Sequence, residues 1–539
     1  MVVLYHNARV HTDGGPLPRA DALVASGGRL LTVGSGADLA GAFPRARRID
    51  LLGLPAFPGL IDAHLHLVSY GMGLLQVELR ETRSIAEAAR LLGQRAASLP
   101  AGTWVLGRGW DKNIWAEGRF PTRGDLDPVT ADRPTAAASK DGHVLWANTA
   151  ALRRAGIARD TPDPAGGAIG RDASGEPDGL LKEEAKTLVQ CVVPDPSPEM
   201  RAQAARQAQS EFHRLGLTGV HAFTGASAEG PDQFATLQRL HARGELTIRT
   251  VATVPDRLLD AAAAAGMQTG VGDFMLRVGP LKIFADGTLG SQTASMLEPF
   301  DGQPGNVGIR VRTPDEIDAL VGKAVEAGLW TAIHAIGDRA NHDVLNILER
   351  HHAASRRIGA RHRIEHVQLL HPADLPRFAR LGVVASMQPI HATADRDIAD
   401  QYWGMRARWS YAWQSLAESG ATLAFGSDAP VETPDPWRGL YAAVTRRREE
   451  EPGRESWYTA ERLSLAQAMR AYTHGAAFAG GCDAFQGTLE AGKVADFIVL
   501  DRDPYAVPPE GLLQTQVLAT VVDGRARYAT GALAGCDAP

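Results

Sequence analysis

Through the middle of the chain, short apolar runs alternate with longer stretches whose apolar residues recur at helical spacing. The apolar runs predict eight strands: Phe57–His64, Leu217–Ala222, Ile248–Val254, Leu276–Phe284, Trp330–His334, Arg363–His366, Val383–Met387 and Leu423–Gly426. Between them, stretches such as Glu199–Leu215, Asp315–Ala327 and Asp338–Ala353 show the period of an amphipathic helix. Strand and helix in alternation favour a parallel sheet with crossover helices. Eight such units predict an α/β fold of the (β/α)₈ TIM-barrel type, with an open doubly wound sheet as the alternative. No Gly-x-Gly-x-x-Gly follows an early strand, which counts against the dinucleotide-binding version of that sheet.

The two ends of the chain follow a different pattern. Val2–Leu4, Ala22–Ala25, Leu30–Val33 and Arg48–Leu51 read as short strands with glycine turns. Near the other end, a Gly-Lys turn feeds an apolar strand, and Val517–Val522 runs into the tight turn Asp523-Gly524. Residues 1–56 and 485–539 are therefore expected to form one small β domain outside a main body of 57–484. The gap between the first two barrel strands is too long for a simple crossover. Residues from about 70 to 210 must hold an inserted subdomain, which is rich in Trp, Gly and Pro. An insertion after a barrel strand emerges at the catalytic face.

Composition narrows the partners. At 539 residues the chain exceeds the size at which one core stops growing. A net charge of -6 argues against nucleic acid and against an anionic membrane surface as partners. Cys191, Cys482 and Cys536 are far apart and odd in number, which fits a reducing compartment and no disulfide framework. The first residues lack the apolar core of a signal peptide, and no apolar run is long enough to span a bilayer. The expectation is a soluble, cytoplasmic protein acting on a small molecule, with a homodimer as the assembly to test.

The chemistry gathers at strand ends. In Phe57-Pro-Gly-Leu-Ile-Asp-Ala-His-Leu-His66, side chains two apart on a strand point the same way, so His64 and His66 project together. Imidazole is the commonest protein ligand of zinc. Four more strands end on a candidate ligand: Lys282 with Asp286, His334, His366 and Asp428. A single strand histidine is more often a core residue, and a strand-ending Asp often caps the next helix. Five strand ends sharing this feature point to one mouth.

These residues carry a resemblance. The set His64-x-His66, Lys282, His334, His366 and Asp428 resembles the amidohydrolase superfamily of metal-dependent hydrolases. Pro58-Gly-Leu-Ile-Asp-Ala-His-Leu-His66, Lys282-Ile-Phe-Ala-Asp-Gly287, Ile364-Glu-His366 and Gly426-Ser-Asp-Ala-Pro430 are similar to its amidohydrolase-3, or YtcJ-like, branch, which includes N-substituted formamide deformylases. The terminal strands, with Gly487-Thr-Leu-Glu-Ala-Gly-Lys-Val-Ala-Asp496, resemble the family's composite β-sandwich. The resemblance implies that His64, His66 and Asp428 bind a first metal and that His334 and His366 bind a second. It implies a carboxylated Lys282 bridging the two, and one or two divalent ions, with Zn²⁺ the first expectation. A free lysine, with a pKa near ~10.4, is a poor ligand; carboxylation makes it an anionic oxygen donor. If Lys282 is unmodified, a single-metal site or a plain Lys282–Asp286 ion pair is the alternative.

The expected reaction is hydrolysis of a non-peptide, amide-like C–N bond. Metal sharpens water into a nucleophile, and Asp428 acts as general base and then acid. His334 or His366 would steady the oxyanion if not committed to metal. Ester or lactone hydrolysis, a metal-dependent isomerisation, and a non-catalytic scaffold are the other readings. Asp62 shares the parity of His64 and His66 and either orients an imidazole or makes a turn or core hydrogen bond. Glu365, of opposite parity to His366, is expected to face the helices in a structural ion pair. Trp110, Asp111, His143, Asn148 and Asp286 are candidate pocket residues, with packing as the competing role of Trp110 and Trp146. Glu183 is a weaker candidate.

Overall fold

A computed structural model describes residues 1–12, 20–140, 143–224 and 230–534. Cys536 and the Asp141-Gly142 step before His143 lie outside them. The chain divides into two compact units: Met1–Tyr70 with Ala205–Pro539, and Gly71–Ala204.

The larger unit contains a sheet of eight parallel strands: β1 (Leu60–Leu65), β2 (Leu217–Ala222), β3 (Arg249–Pro255), β4 (Leu276–Phe284), β5 (Thr331–Ala335), β6 (Arg363–His366), β7 (Val384–Met387) and β8 (Leu423–Phe425). Each pairs with its sequence neighbour. β1 is buried along its whole length, as expected of a parallel strand covered on both faces. Crossover helices follow their local signals. Pro314–Glu326 opens on a capping box of Thr313 and Glu316 with proline in its first turn.

No ladder is formed between β1 and β8; two backbone bonds close the ring instead. Asp428 N–H donates to His64 O at 2.6 Å, and His66 N–H donates to Ala429 O at 2.8 Å. Gly426 permits this approach: a Cβ there would lie 2.5 Å from His64 N and 2.6 Å from Asp62 Oδ1. Closure thus sets candidate ligands from the ends of the first and last strands side by side.

One predicted strand divides in two. Phe57 and Pro58 end a long strand, Arg47–Pro58, whose Phe57 pairs with Ile498 of the terminal sheet. β1 begins only at Leu60. The chain changes sheets at Gly59, where a Cβ would meet the Thr218 side chain at 2.2 Å. An apolar run does not reveal which sheet each half joins.

The termini build one seven-stranded sheet, four strands from the N-terminal end and three from the C-terminal end. It encloses its own core, including Tyr5, Leu23, Ile49, Phe497, Val499 and Val521. Arg249 of β3 reaches it through a buried bidentate pair with Asp496, at 2.5 and 2.9 Å.

The unit Gly71–Ala204 has a six-stranded sheet of its own. Trp110, Trp115 and Trp146 are in its core. Among the described residues, no helix of the protein is long and apolar enough to cross a membrane.

Candidate metal centre

His64 is the last but one residue of β1, and His66 follows the strand. Lys282 lies in β4, His334 in β5 and His366 at the end of β6. Asp428 stands three residues past β8 with φ +60°. One ligand atom from each of His64, His366 and Asp428 lies within 4.8 Å of the others. The His66 Nε2 is 3.2 Å from Asp428 Oδ1, and the His334 and His366 rings are 4.6 Å apart between centroids. All six candidates line one cavity of about 380 Å³.

The ring nitrogens are sorted by their outer partners. His64 Nδ1–H donates to Glu365 Oε2 at 2.7 Å, which turns Nε2 towards Asp428. His366 Nδ1–H donates to Gln388 Oε1 at 2.8 Å, leaving Nε2 as the ligand atom. His334 Nε2–H donates to the Gly287 carbonyl at 3.0 Å, leaving Nδ1. A metal-binding imidazole commonly has its other nitrogen fixed in this way.

Burial adjusts the charges in the direction a cation site needs. It lowers His64 to about 4, against the pull of Glu365, and His334 to about 3. His366 is pushed well below its ordinary value for the same reason. These imidazoles keep their lone pairs at neutral pH. Burial pushes Asp428 up, but bonds from His391 and His66 and the charges of His64 and His366 outweigh it and hold the carboxyl well below its usual range.

Lys282 is 2% exposed, and its Nζ has no hydrogen-bond partner among the described residues. It stands 4.6 Å from the Phe284 ring centre and 5.1 Å from that of Phe223. Burial lowers it to about 8, which leaves an appreciable neutral fraction near physiological pH. A buried ammonium without acceptors is costly, so a neutral amine or an anionic adduct facing a cation suits this position better. The donor set and this orphaned nitrogen together fit a divalent metal site.

Two expectations change, for Glu365 and Asp286, and for Asp62 the second of its two alternatives, a core hydrogen bond, is the one observed. Glu365 does not face the helices: it is fully buried and holds His64. His366 and Val367 have φ +75° and +45°, so the backbone turns left-handed at the strand end and simple parity fails there. Asp62 bonds to backbone, accepting from His64 N–H at 3.0 Å and Ser427 N–H at 3.1 Å, and burial raises it to about 7. Asp286 does not line the cavity or pair with Lys282. It accepts from Ile336, Gly337 and Ser295 N–H, anchoring the loop after β5, and its Oδ1 is 3.5 Å from His334 Nε2.

The remaining candidates lie in the other unit. Trp110 is 2% exposed, stacks on Trp115 and donates its indole N–H to Ala137 O at 2.8 Å, so its role there is packing. Asp111 Oδ1 accepts from Asn113 N–H in a turn. His143 is exposed and pairs with Glu183 at 3.0 Å. Asn148 caps the helix Thr149–Arg154.

Sequence reasoning missed His391, in the helix Pro389–Ala394 after β7, whose Nε2 is 3.4 Å from Asp428 Oδ2. Its signal was available: Gln388 and His391 follow a strand end, as the candidate ligands do. It also missed Arg363, which is fully buried inside the barrel. Arg363 donates to Glu365 Oε1 at 2.5 Å, Ala63 O at 2.6 Å and Ser386 Oγ at 2.6 Å, and lies 2.7 Å from His221 Nδ1. It braces β1, β2, β6 and β7 around the carboxylate that orients His64. A charged residue heading the short strand Arg363–His366 is the only trace this leaves in the sequence.

The amidohydrolase-family model Amidohydro_3 matches residues 47–528. The chain is 32% identical over 533 residues to the putative amidohydrolase YtcJ of Bacillus subtilis (strain 168), covering 98% of this chain and 99% of that protein. It is 30% identical over 547 residues to an N-substituted formamide deformylase of Arthrobacter pascens, covering 97% of each. A crystal structure of an uncharacterized metal-dependent hydrolase from Pyrococcus horikoshii OT3 has the same fold, with TM-score 0.78 and 29% identity, covering 94% of this chain and 99% of that one.

Proposed function

This chain belongs to the amidohydrolase family of metal-dependent hydrolases, and we propose that it cleaves a non-peptide, amide-like C–N bond in a small molecule. One observation carries the reading. His64 and His366, in the first and sixth strands, and Asp428, just past the last, meet within 4.8 Å, and the two imidazoles have their outer nitrogens already bonded.

His64, His66 and Asp428 would hold one ion, and His334 and His366 a second, with a carboxylated Lys282 shared between them. Zn²⁺ is the metal we favour, because imidazole nitrogen and carboxylate oxygen are its usual donors. A divalent ion held there supplies Lewis acidity, which polarises a carbonyl and makes water acidic enough to attack near pH 7. Asp428 Oδ2 takes the proton from the attacking water and returns it to the leaving nitrogen, which cannot depart as an anion. Its depressed pKa keeps it ionised to accept that proton. His391, bonded to the same oxygen, holds the carboxylate in line. We place the enzyme in the cytoplasm, a placement supported by its unpaired thiols Cys191 and Cys482.

The test is a hydrolysis screen over formamides, acetamides and matched esters with metal-loaded protein. Amide turnover that disappears with a chelator and returns with Zn²⁺ is expected. Turnover of esters alone, or amide turnover indifferent to chelation, would refute the proposal.

A further inference from the structure

Beyond the candidate ligands, the polar lining of the cavity consists of Thr288, Gln368, His391, Asp395 and Glu432. Among the described residues no arginine lines it, and Lys282 is the one lysine that does. Asp395 and Glu432 are both part-buried carboxyls. Among the described residues, neither Asp395 nor Glu432 pairs with Arg or Lys, and the nearest cationic group to Glu432 is His391 Nδ1 at 3.9 Å. Arg448 is close enough to bias Asp395, but its guanidinium is engaged by the Thr393 and Ala394 carbonyls at 2.7 and 2.6 Å and by Asp397.

Gln368 provides an independent observation. It is 5% exposed, and its Oε1 has no hydrogen-bond partner among the described residues. Gln368 lines the same cavity as the two acids, and Tyr411 ties its main chain to one of them: the Tyr411 N–H donates to the Gln368 main-chain carbonyl at 2.8 Å and its hydroxyl to Asp395 Oδ2 at 2.5 Å. Burial accordingly raises the carboxyls of both Asp395 and Glu432. Among the described residues, the cationic partner nearest these acids is His391, which burial lowers but Asp428, Asp395 and Glu432 together raise; Asp395, Glu432 and Gln368 Oε1 still present acceptors that no lysine or arginine takes up. Desolvating such groups is unfavourable until a ligand supplies N–H or positive charge.

We propose that the substrate is the N-acyl derivative of an amine carrying a second basic nitrogen, whose ammonium seats between Asp395 and Glu432 with an N–H to Gln368. This rests on the amide-hydrolase reading above and adds its leaving group. The reach is short. His391 bonds Asp428 through one ring nitrogen and faces Glu432 with the other, so the ammonium sits about one imidazole away from the proton-transferring carboxylate. A chain of a few carbons spans that distance. An anionic substituent at the same place would meet two carboxylates that no lysine or arginine among the described residues pairs.

Three formamides of matched length test this on the metal-loaded enzyme: N-formyl-diaminobutane, N-formyl-butylamine and N-formyl-aminobutyrate. The expected order of kcat/KM is ammonium over neutral over carboxylate, with about a tenfold or larger first step, as for one charge-assisted hydrogen bond. In Glu432→Gln and Asp395→Asn the ammonium-to-neutral ratio should fall towards one. Equal turnover of all three overturns the proposal while leaving the hydrolase reading intact. If none is cleaved, the hydrolase reading is in question, and calorimetry decides the pocket separately. Tighter binding of diaminobutane than of butylamine, lost in Glu432→Gln, supports it; equal or absent binding overturns it.

Discussion

Trp110 and Trp146 in the inserted unit are as conspicuous in the sequence as His64 and His334 at the barrel mouth, and all four are buried. Their polar atoms separate them. The indoles of Trp110, Trp115 and Trp146 each donate to an acceptor within the same unit: Ala137 O, Thr82 Oγ1 and Thr122 O. Nothing is left over for a ligand. At the mouth, each bonded ring nitrogen leaves its opposite free to face the same cavity, and Lys282 Nζ has no partner among the described residues. Orphaned neutral groups occur elsewhere in the barrel, at Trp413 Nε1 and Trp437 Nε1. A buried indole without a partner costs roughly 1–3 kcal/mol, whereas an uncompensated ammonium costs several times that. The lesson is that rarity and burial do not distinguish a core residue from a site residue; the unmet demand of its polar atoms does.

Four experiments would break or sharpen this contrast. The largest effect is expected at Asp428. Asp428→Asn keeps the shape but removes the base, so kcat should fall about 10³-fold. Circular dichroism should stay unchanged; a surviving rate would remove Asp428 from the proton path.

Trp146→Ala should act on stability alone. Emptying a filled indole site costs about 3–5 kcal/mol. A lower midpoint in thermal melting, with metal content per protein unaltered, is expected. Loss of bound metal in that variant would mean the inserted unit serves the centre after all.

Glu365→Gln should do the reverse. It weakens the grip on His64, and metal affinity should fall about 10–100-fold in competition with a chromogenic chelator. It also strands the buried Arg363, so some stability goes with it. Full metal affinity would show that Glu365 serves Arg363 only.

The smallest effect, per group, is in the acid limb of metal-free protein. Burial holds His64, His213 and His362 at about 4 and His334 at about 3, below their ordinary 6.5. The unfolded chain therefore takes up these protons first, and stability falls as pH drops from 6.5 towards 4. Asp62 and Asp286, raised by burial to about 7, oppose this, since the folded state binds their protons more tightly in the same window. His221 and His366 lie well below 6.5 too, so six histidines stand against these two carboxyls and the smaller rises of Asp338, Asp395, Glu432, Asp435 and His391; the balance is a net loss, about 1.4 kcal/mol per pH unit for each uncompensated histidine. Melting temperature should drop between about pH 7 and pH 5, and at least as steeply in metal-loaded protein, because the metal holds the native nitrogens proton-free while the unfolded chain takes up its protons. A flat profile in metal-free protein would contradict the depressed histidines.

Sequence by itself determined the strand and helix alternation, the β-rich ends, and five strand ends bearing ligand-type side chains. Those follow from local periodicity, which is written along the chain. Only the tertiary structure decided that Phe57 and Leu60 belong to different sheets, that Asp428 meets His64 across the ring closure, and that Glu365 turns inward to hold an imidazole. The same holds for Arg363, His391, Asp395 and Glu432, whose partners lie tens to hundreds of residues away. Such roles depend on which groups are brought together and which polar atoms remain unsatisfied once water is gone, and neither quantity exists until the barrel closes.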